Sequence, residues 1–598
     1  MQVVIPAAGM GNRLGNHTKD KTKCMVKVHD ITLIERSLDI LSKYDVRRFV
    51  IVVGYQKEKL VEFLGDNYNG IEIIYVENNI YDTTNNIYSI YLAKDLLAED
   101  DTILLESDLI YEPKILDDLI SNQFPNVAVV DKYQPWMDGT VVEIDNNYDI
   151  INFVSKKDFN FSKTDDYYKT VNIYKFSKEF LQNTYVPFLE AYSSALGQNE
   201  YYEQVLRVIT LLETQELKAL PLQGEKWYEI DDIQDLDNAE VIFSSKEQKL
   251  KLLSQRYGGF WRYEDLIDFC YLVNPYFPNE TFVGEMKYSF DTLLREYPSG
   301  ANVQSLLASK MFNCDKSQIV VGNGAAELID ALANEIDCKL GLFLPTFEEY
   351  SARFKNVYLE KITNKDFSYD KEDIKKLASK TDGVLLINPD NPSGNFIKYA
   401  DLIELIHWFK TENKVLIIDE SFVDFAVDGI NSTLLSEEIL NSYKNLIVIK
   451  SISKSYGVPG IRLGVLASSN LDLINNIKKI IPVWNINSLG EFFFQIIGKY
   501  QKVYNLSCDN IISERNTFFE QLKSISYLRP IESQANYILC EVIEKKSDAL
   551  VSELCQKYNI LAKDCSKKQG FDNSNYIRLA VRNSTDNQYL IDCLKDIK

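Results

Sequence analysis

The sequence predicts an α/β protein of two domains, and three observations carry that expectation. The chain is 598 residues long, more than one ordinary hydrophobic core accommodates. Unbroken aliphatic runs such as Phe49-Val50-Ile51-Val52-Val53 alternate with helical spacings such as Leu33, Ile34, Leu38 and Leu41. The runs have the pattern of parallel strands buried on both faces. That rhythm pauses across the polar, helix-prone stretch SSKEQKLKLLSQR (244–256) and then resumes. The expected division is a first domain at 1–243, a linker at 244–259 and a second domain at 260–598, each built of βαβ units around a mostly parallel sheet.

The elements of the first domain follow in order. Val3-Val4-Ile5 is a strand that enters a glycine loop, PAAGMGNRLG (6–15). Further strands are expected at Ile71 to Val76 and Thr102 to Leu105, with a helix from Asn85 to Leu97 between them. The bulk composition narrows the function classes. Apolar residues make up 45% and charged residues 25%, as in soluble globular proteins, and the formal charge is −22. So acidic a chain is a poor nucleic-acid binder, and any anionic ligand needs a local basic cluster. No apolar run approaches the ~20 residues that span a bilayer, and the first residues read as strand and loop, not as a secretory signal. The nine cysteines contain no CxxC pair and read as reduced thiols. Three histidines are few for a histidine-based catalyst or metal site. The expectation is a cytoplasmic protein that binds neither nucleic acid nor membrane.

The first loop is not a dinucleotide fingerprint, because Leu14 stands where its third glycine belongs. It also lacks the lysine of a Walker loop. What it offers is backbone N–H groups and Arg13 around a polyphosphate, with Lys23 following in the basic stretch KDKTKCMVKV (19–28). Asp108, in LLESDLIY, lies just past a buried strand. Glu229 and Asp231, in WYEIDD, are two apart and so share one face of a strand. Oxygen ligands without His or Cys suit Mg²⁺.

PAAGMGNRLG, TKCMVKV, ENNIYDTTNNIYSIYLA (77–93), ESD and WYEID together resemble the sugar-nucleotide pyrophosphorylase superfamily. The nearest branch is the CTP:phosphocholine cytidylyltransferases, and the first domain is expected to be Rossmann-like. The resemblance implies that Arg13 and Lys23 neutralise the triphosphate and that Asp108, Glu229 and Asp231 hold Mg²⁺. It places Ala8, Gly9, Gly11 and Asn85 against CTP. Trp136, Asp138, Tyr174 and Glu200 are candidates for the acceptor's cationic head, through carboxylate pairing or cation–π contact.

The second domain carries five features in order. GNGAAE (322–327) follows the strand Gln318 to Val321 and opens a helix, a seat for phosphate. PTFEEY (345–350) offers Phe347 or Tyr350 as a stacking face. NPDNPSG (388–394) ends the strand Gly383 to Ile387. IIDESF (417–422) puts Asp419 at the end of Val415 to Ile418. SISKSYGVPGIRLG (451–464) follows Leu446 to Ile449 and holds Lys454 and Arg462. A cofactor with a phosphate, an aromatic ring, a ring nitrogen wanting an acid and an aldehyde wanting a lysine fits all five.

The set resembles the fold-type I pyridoxal phosphate enzymes, in the branch of histidinol-phosphate aminotransferase and threonine-phosphate decarboxylase, over residues 260–598. The resemblance implies that Lys454 is the Schiff-base lysine and proton shuttle, that Asp419 faces the pyridine nitrogen and that Asn391 bonds the ring hydroxyl. It places Ala325, Ala326, Ser451, Ser453 and Arg462 on the phosphate. It further implies that Tyr297, in REYPSG, reaches the cofactor phosphate of a second subunit in a homodimer. Arg578, in YIRLAVRN, is implied to clamp the substrate carboxylate, with Arg582 on a second anion. Phe422 departs from the pattern, since many aminotransferases have tyrosine there and the decarboxylase branch often does not.

Two enzymes on one chain usually serve consecutive steps. A phosphocholine-like acceptor that is also a transamination product is 2-aminoethylphosphonate. The order of the domains is similar to that of phosphonate cytidylyltransferases fused to 2-aminoethylphosphonate transaminases. The expected function is therefore amino transfer from an amino-acid donor to phosphonoacetaldehyde, then CMP transfer from CTP to the resulting aminophosphonate. Phe422 motivates the alternative, a phosphoserine or threonine-phosphate decarboxylase-like domain fused to a phosphoethanolamine or phosphocholine cytidylyltransferase. A third reading, in which one domain is a degenerate binding module, is opposed by the complete sets of charged residues in both halves.

Overall fold

The aliphatic runs lie at the middle of two separate sheets. The computed structural model describes residues 1–154, 157–212, 217–427, 429–572 and 574–597. The chain divides into two units, Met1–Tyr263 and Glu264–Lys598. The stretch 244–259 falls within the first unit, where Lys246–Ser254 is helical.

In the first unit, strands Ile71–Glu77, Arg48–Val53, Gln2–Ala7 and Thr102–Leu105 lie side by side and parallel. Arg48–Val53 is buried along its whole length, as its unbroken run requires. Beyond Thr102–Leu105 the sheet is mixed. Tyr167–Phe176 runs antiparallel to Thr102–Leu105 and takes Val141–Ile144 and Val127–Lys132 as further antiparallel neighbours. The mostly parallel sheet expected from the sequence is correct for the centre and incorrect for this edge. Antiparallel neighbours need no crossover helix, and the strands between 127 and 154 follow one another without one. The helix expected over Asn85 to Leu97 is two helices, Asn86–Leu92 and Lys94–Leu97, interrupted at Ala93.

In the second unit, seven strands form one sheet in the order Ile319–Asn323, Leu463–Ala467, Leu446–Ser451, Val415–Asp419, Gly383–Ile387, Leu340–Leu344, Val357–Lys361. Leu463–Ala467 is antiparallel to both neighbours, and the remaining pairs are parallel. The strand period of two sorts the side chains: Val384, Leu386 and Ile418 join the core on one face, Leu385, Ile387 and Ile417 the core on the other. A four-stranded antiparallel sheet, with Tyr537–Val542 and Tyr576–Ala580 at its centre, completes the unit.

In both units the chemistry gathers at the carboxyl ends of parallel strands, where open α/β sheets bind ligands. Ala8 follows Gln2–Ala7 and Asp108 follows Thr102–Leu105; in the second unit Asn388 follows Gly383–Ile387, and Asp419 and Ser451 end their strands. No helix among the described residues is long and apolar enough to cross a membrane.

Candidate active sites

The glycine loop of the first unit closes over a cavity of about 300 Å³, lined among others by Ala8, Gly9, Gly11, Arg13, Lys23 and Asn85. Gly11 is left-handed (φ +61°), and a Cβ there would stand 3.1 Å from the Cβ of Lys23. The loop is therefore drawn tight by glycine against the lysine it must present. Gly9 has open space where its Cβ would be. Asn85 caps the helix Asn86–Leu92, accepting from the Asn86 N–H at 2.8 Å.

Lys23, expected on a triphosphate, lies against two of the acids expected on a metal. The Lys23 ammonium donates to Asp108 and, at 2.6 Å, to Asp231, whose carboxylate also takes Arg13 at 2.9 Å. Burial alone would lower the Lys23 pKa, but Asp108 and Asp231 outweigh it and hold the pKa above its ordinary value. Burial likewise works against the Asp231 charge, and Lys23 and Arg13 keep its carboxyl below the usual range. Asp108, Glu229 and Asp231 place one oxygen each within 4.8 Å of one another. Strand Trp227–Glu229 ends before Asp231, so the shared strand face expected for the pair covers Glu229 alone; Asp231 reaches the same point from the loop beyond. The Asp108 Oδ1 is buried without a hydrogen-bond partner among the described residues. Three oxygen donors, one of them orphaned, fit a Mg²⁺ ion.

A larger cavity of about 710 Å³ shares Arg13, Lys23, Asn85, Asp108 and Asp231 with the first and adds Asp138, Glu200, Glu203, Asn172 and Glu229. Asp138 and Glu200 thus line it, at solvent-exposed positions. Trp136 stacks on Tyr228 at 4.5 Å and Tyr174 is fully buried beside Phe176 and Tyr202. The structure brings neither ring to the cavity lining.

Several residues here were missed in the sequence. Glu106 accepts from Asn86 at 2.9 Å, and burial, with Asp108, Glu203 and Glu229 nearby, pushes its carboxyl well above the ordinary value. Burial pushes Glu203 up to about 7. Asn172 sits in a β-bulge, where the register against Val127–Lys132 shifts between Thr170 and Tyr174, and takes φ +61°. From there it donates to Glu229 at 3.2 Å. A bulge re-aims side chains at a site's edge, and its only signal in the sequence is a polar residue interrupting TVNIYKF.

In the second unit, Lys454 follows strand Leu446–Ser451. Its ammonium lies 4.1 Å from the centre of the Phe422 ring and 5.5 Å from that of Phe347. Desolvation, aided by Arg578 and Arg462 and opposed by Asp419, lowers its pKa to about 8. Asp419 is buried and accepts from the Tyr350 hydroxyl at 2.7 Å and from the Ser421 hydroxyl and N–H. The Ser421 oxygen in turn accepts from the Ser451 N–H at 2.9 Å. Tyr350 therefore serves Asp419, which leaves Phe347 as the ring face.

Gly324 (φ +78°) precedes the helix Ala325–Glu335, and a Cβ there would stand 2.7 Å from the Arg462 guanidinium. A Cβ on Gly464 would stand 2.5 Å from the Ala325 nitrogen. Gly324 thus lets Arg462 approach the helix start that carries Ala325 and Ala326, and Gly464 lets strand Leu463–Ala467 approach it. Ser453 Oγ is buried without a partner among the described residues. Asn391 accepts from Arg578 at 2.6 Å, and Arg578 also donates to the Cys270 carbonyl. Arg582 is engaged by Asp586 and by the Asp268 carbonyl, so its second-anion role requires those bonds to open. Tyr297 is 78% exposed and stacks on Trp484 at 4.5 Å. A buried acid, a desolvated amine, an aromatic face and an unpartnered hydroxyl beside a helix start and an arginine fit pyridoxal phosphate.

The family of class I and II aminotransferases matches residues 292–594, and the MobA-like NTP transferase domain matches residues 3–139. The chain is 29% identical over 605 residues to a CMP-5'-(3-aminopropyl)phosphonate synthase of Streptomyces rubellomurinus, across 100% of this chain and 95% of that protein. It is 30% identical over 357 residues to an L-serine phosphate decarboxylase of Campylobacter jejuni, across 55% of this chain and 88% of that protein. A solved decarboxylase from Sulfurospirillum multivorans is similar with a TM-score of 0.52 and 28% identity, over 56% of this chain and 90% of that one.

Proposed function

The chain belongs to the class I and II aminotransferases, with a nucleotidyltransferase domain ahead of that fold, and from this premise we propose that it makes and activates a small aminophosphonate. The second unit transfers an amino group from an amino-acid donor to phosphonoacetaldehyde, giving 2-aminoethylphosphonate and a 2-oxo acid. The first unit then joins CMP from CTP to that product. The observation that carries the reading is the presence on one chain of both complete charged sets, Arg13–Lys23–Asp108–Asp231 and Lys454–Asp419–Arg578. The end-to-end similarity to a CMP-aminopropylphosphonate synthase supports it.

In the first unit the acceptor's phosphonate oxygen attacks the α-phosphorus of CTP, the bond to the bridging oxygen breaks and pyrophosphate leaves. The attacking oxygen is already ionised, so positioning and charge suffice. Arg13 and Lys23 neutralise the triphosphate, and Asp108, Glu229 and Asp231 would hold Mg²⁺. In the second unit, pyridoxal phosphate would supply the electron sink, with Asp419 toward its ring nitrogen. Lys454 Nζ moves the proton, Arg578 clamps the substrate carboxylate, and Ala325, Ala326, Ser451, Ser453 and Arg462 hold the phosphate. The exposed Tyr297 supports a homodimer in which it reaches the cofactor of a second copy.

A second reading has its own observation. Phe422, whose ring covers Lys454, supports decarboxylation of a phosphorylated amino acid such as phosphoserine, as does the similarity to L-serine phosphate decarboxylases. Both routes deliver a primary amine to the first unit. Phosphorus NMR of the protein with Mg²⁺ and CTP, on 2-aminoethylphosphonate, 3-aminopropylphosphonate, phosphoethanolamine and phosphocholine in parallel, separates them. Fastest anhydride formation with 2-aminoethylphosphonate is expected. A preference for phosphoethanolamine, with carbon dioxide released from phosphoserine, moves the chain to the second reading.

A further inference from the structure

Three covered glutamates line the larger cavity of the first unit, and two of them are already occupied. Glu229 faces Lys169 at 3.3 Å and Asn172 at 3.2 Å, and Glu106 takes Asn86 at 2.9 Å. Lys169 is itself committed, donating to the Thr170 carbonyl at 2.6 Å. Glu203 differs: it is 5% exposed, lines the cavity, and its Oε2 has no hydrogen-bond partner among the described residues. A buried carboxylate oxygen without a partner is costly. The acids at exposed positions of the same cavity, Asp138 and Glu200, are solvated and contribute little to holding a cation.

We propose that Glu203, with Glu106 lining the same cavity, is the subsite for the ammonium group of the CMP acceptor. This rests on reading the first unit as a transferase acting on an ammonium-bearing phosphonate or phosphate, and it names the residue that selects the acceptor. A primary ammonium brings three N–H donors and satisfies Oε2 once the carboxylate turns into the cavity that Glu203 lines. A trimethylammonium head brings none and leaves the oxygen unpaired, so the subsite selects primary amines over quaternary ones. Glu203 touches the substrate away from the reacting phosphorus, so it governs which acceptor is taken rather than the transfer step.

The test compares 2-aminoethylphosphonate with n-propylphosphonate, which replaces the ammonium by methyl at nearly the same size. Pyrophosphate release by the full chain is measured with Mg²⁺ and CTP. The wild type prefers the amine. Glu203→Gln loses on the order of 30-fold of that preference, through the acceptor KM, with the CTP KM unchanged. A thermal shift on adding CTP reports that the variant's nucleotide side is folded. Glu203→Asp, which keeps the charge, retains the preference with a raised acceptor KM. A Glu203→Gln protein with the wild-type preference overturns the subsite. If the wild type turns over neither phosphonate, the functional reading fails separately. The same comparison is then made with phosphoethanolamine against propyl phosphate, where an unchanged preference overturns the subsite equally.

Discussion

As the proton carrier proposed for the second unit, Lys454 has to take up a proton at a pH where an ordinary lysine is fully charged. Desolvation, aided by Arg578 and Arg462, does this, and Asp419 only partly offsets them. A lowered pKa means the neutral amine appears as the pH rises through about 8, where surface lysines remain protonated until near their usual ~10.4. Acylation of Lys454 in the cofactor-free protein, followed by peptide mass spectrometry, is therefore expected to be half-maximal near pH 8. Lys454→Ala is expected to cost amino-group chemistry about 10³-fold while CMP transfer continues at the wild-type rate, measured on one preparation. At this scale the legible residues were those fixed by a local motif. SISKS announces Lys454 and IIDESF announces Asp419. Nothing local announces Glu203, whose significance comes from losing water and partners together in the folded cavity.

Among the elements, turns with forced backbone carry the most weight. Gly324 holds φ +78° where a side chain would also strike the Arg462 guanidinium. Gly324→Ala must distort both the turn and the arginine, at roughly 1–3 kcal/mol of local strain. A loss of about tenfold or more in pyridoxal phosphate affinity is expected, read by cofactor titration, with CMP transfer untouched. The parallel strands were legible because burial on both faces writes an unbroken aliphatic run. The antiparallel edge of the first sheet was not, because Val127–Lys132 and Val141–Ile144 look the same whichever way their neighbours run. Nor was the bulge at Asn172, whose left-handed turn depends on pairing across strands far apart in sequence. Glu229 and Asp231 do come together, although only Glu229 lies on a strand.

Across the whole molecule, each unit has hydrophobic cores of its own: Val3, Ile51 and Ile103 belong to one in the first unit, Val384, Ile418 and Val448 to one in the second. Folding free energy is therefore gathered separately in each. Scanning calorimetry is expected to resolve two transitions. Ligand at a hundred times its Kd adds about 2.7 kcal/mol to the state that binds it, so pyridoxal phosphate moves one transition upward and CTP with Mg²⁺ moves the other. A single transition moved by both ligands sinks this expectation. The division into two α/β parts was legible from the pause in the strand–helix rhythm, and the polar stretch there forms the helix Lys246–Ser254 within the first unit.

Lys23 lies between Asp108 and Asp231 as their built-in counter-ion. Its ammonium leaves them most readily when another anion takes it, and in the function proposed above the incoming triphosphate is such an anion. On that proposal Lys23 sets an order of arrival. A solitary divalent ion meets a place already neutralised, whereas one carried in on the nucleotide comes with the phosphates that draw the lysine away. On the same proposal the resting protein takes up divalent metal weakly and gains it together with the nucleotide, an outcome that titration of Mg²⁺ with and without CTP checks.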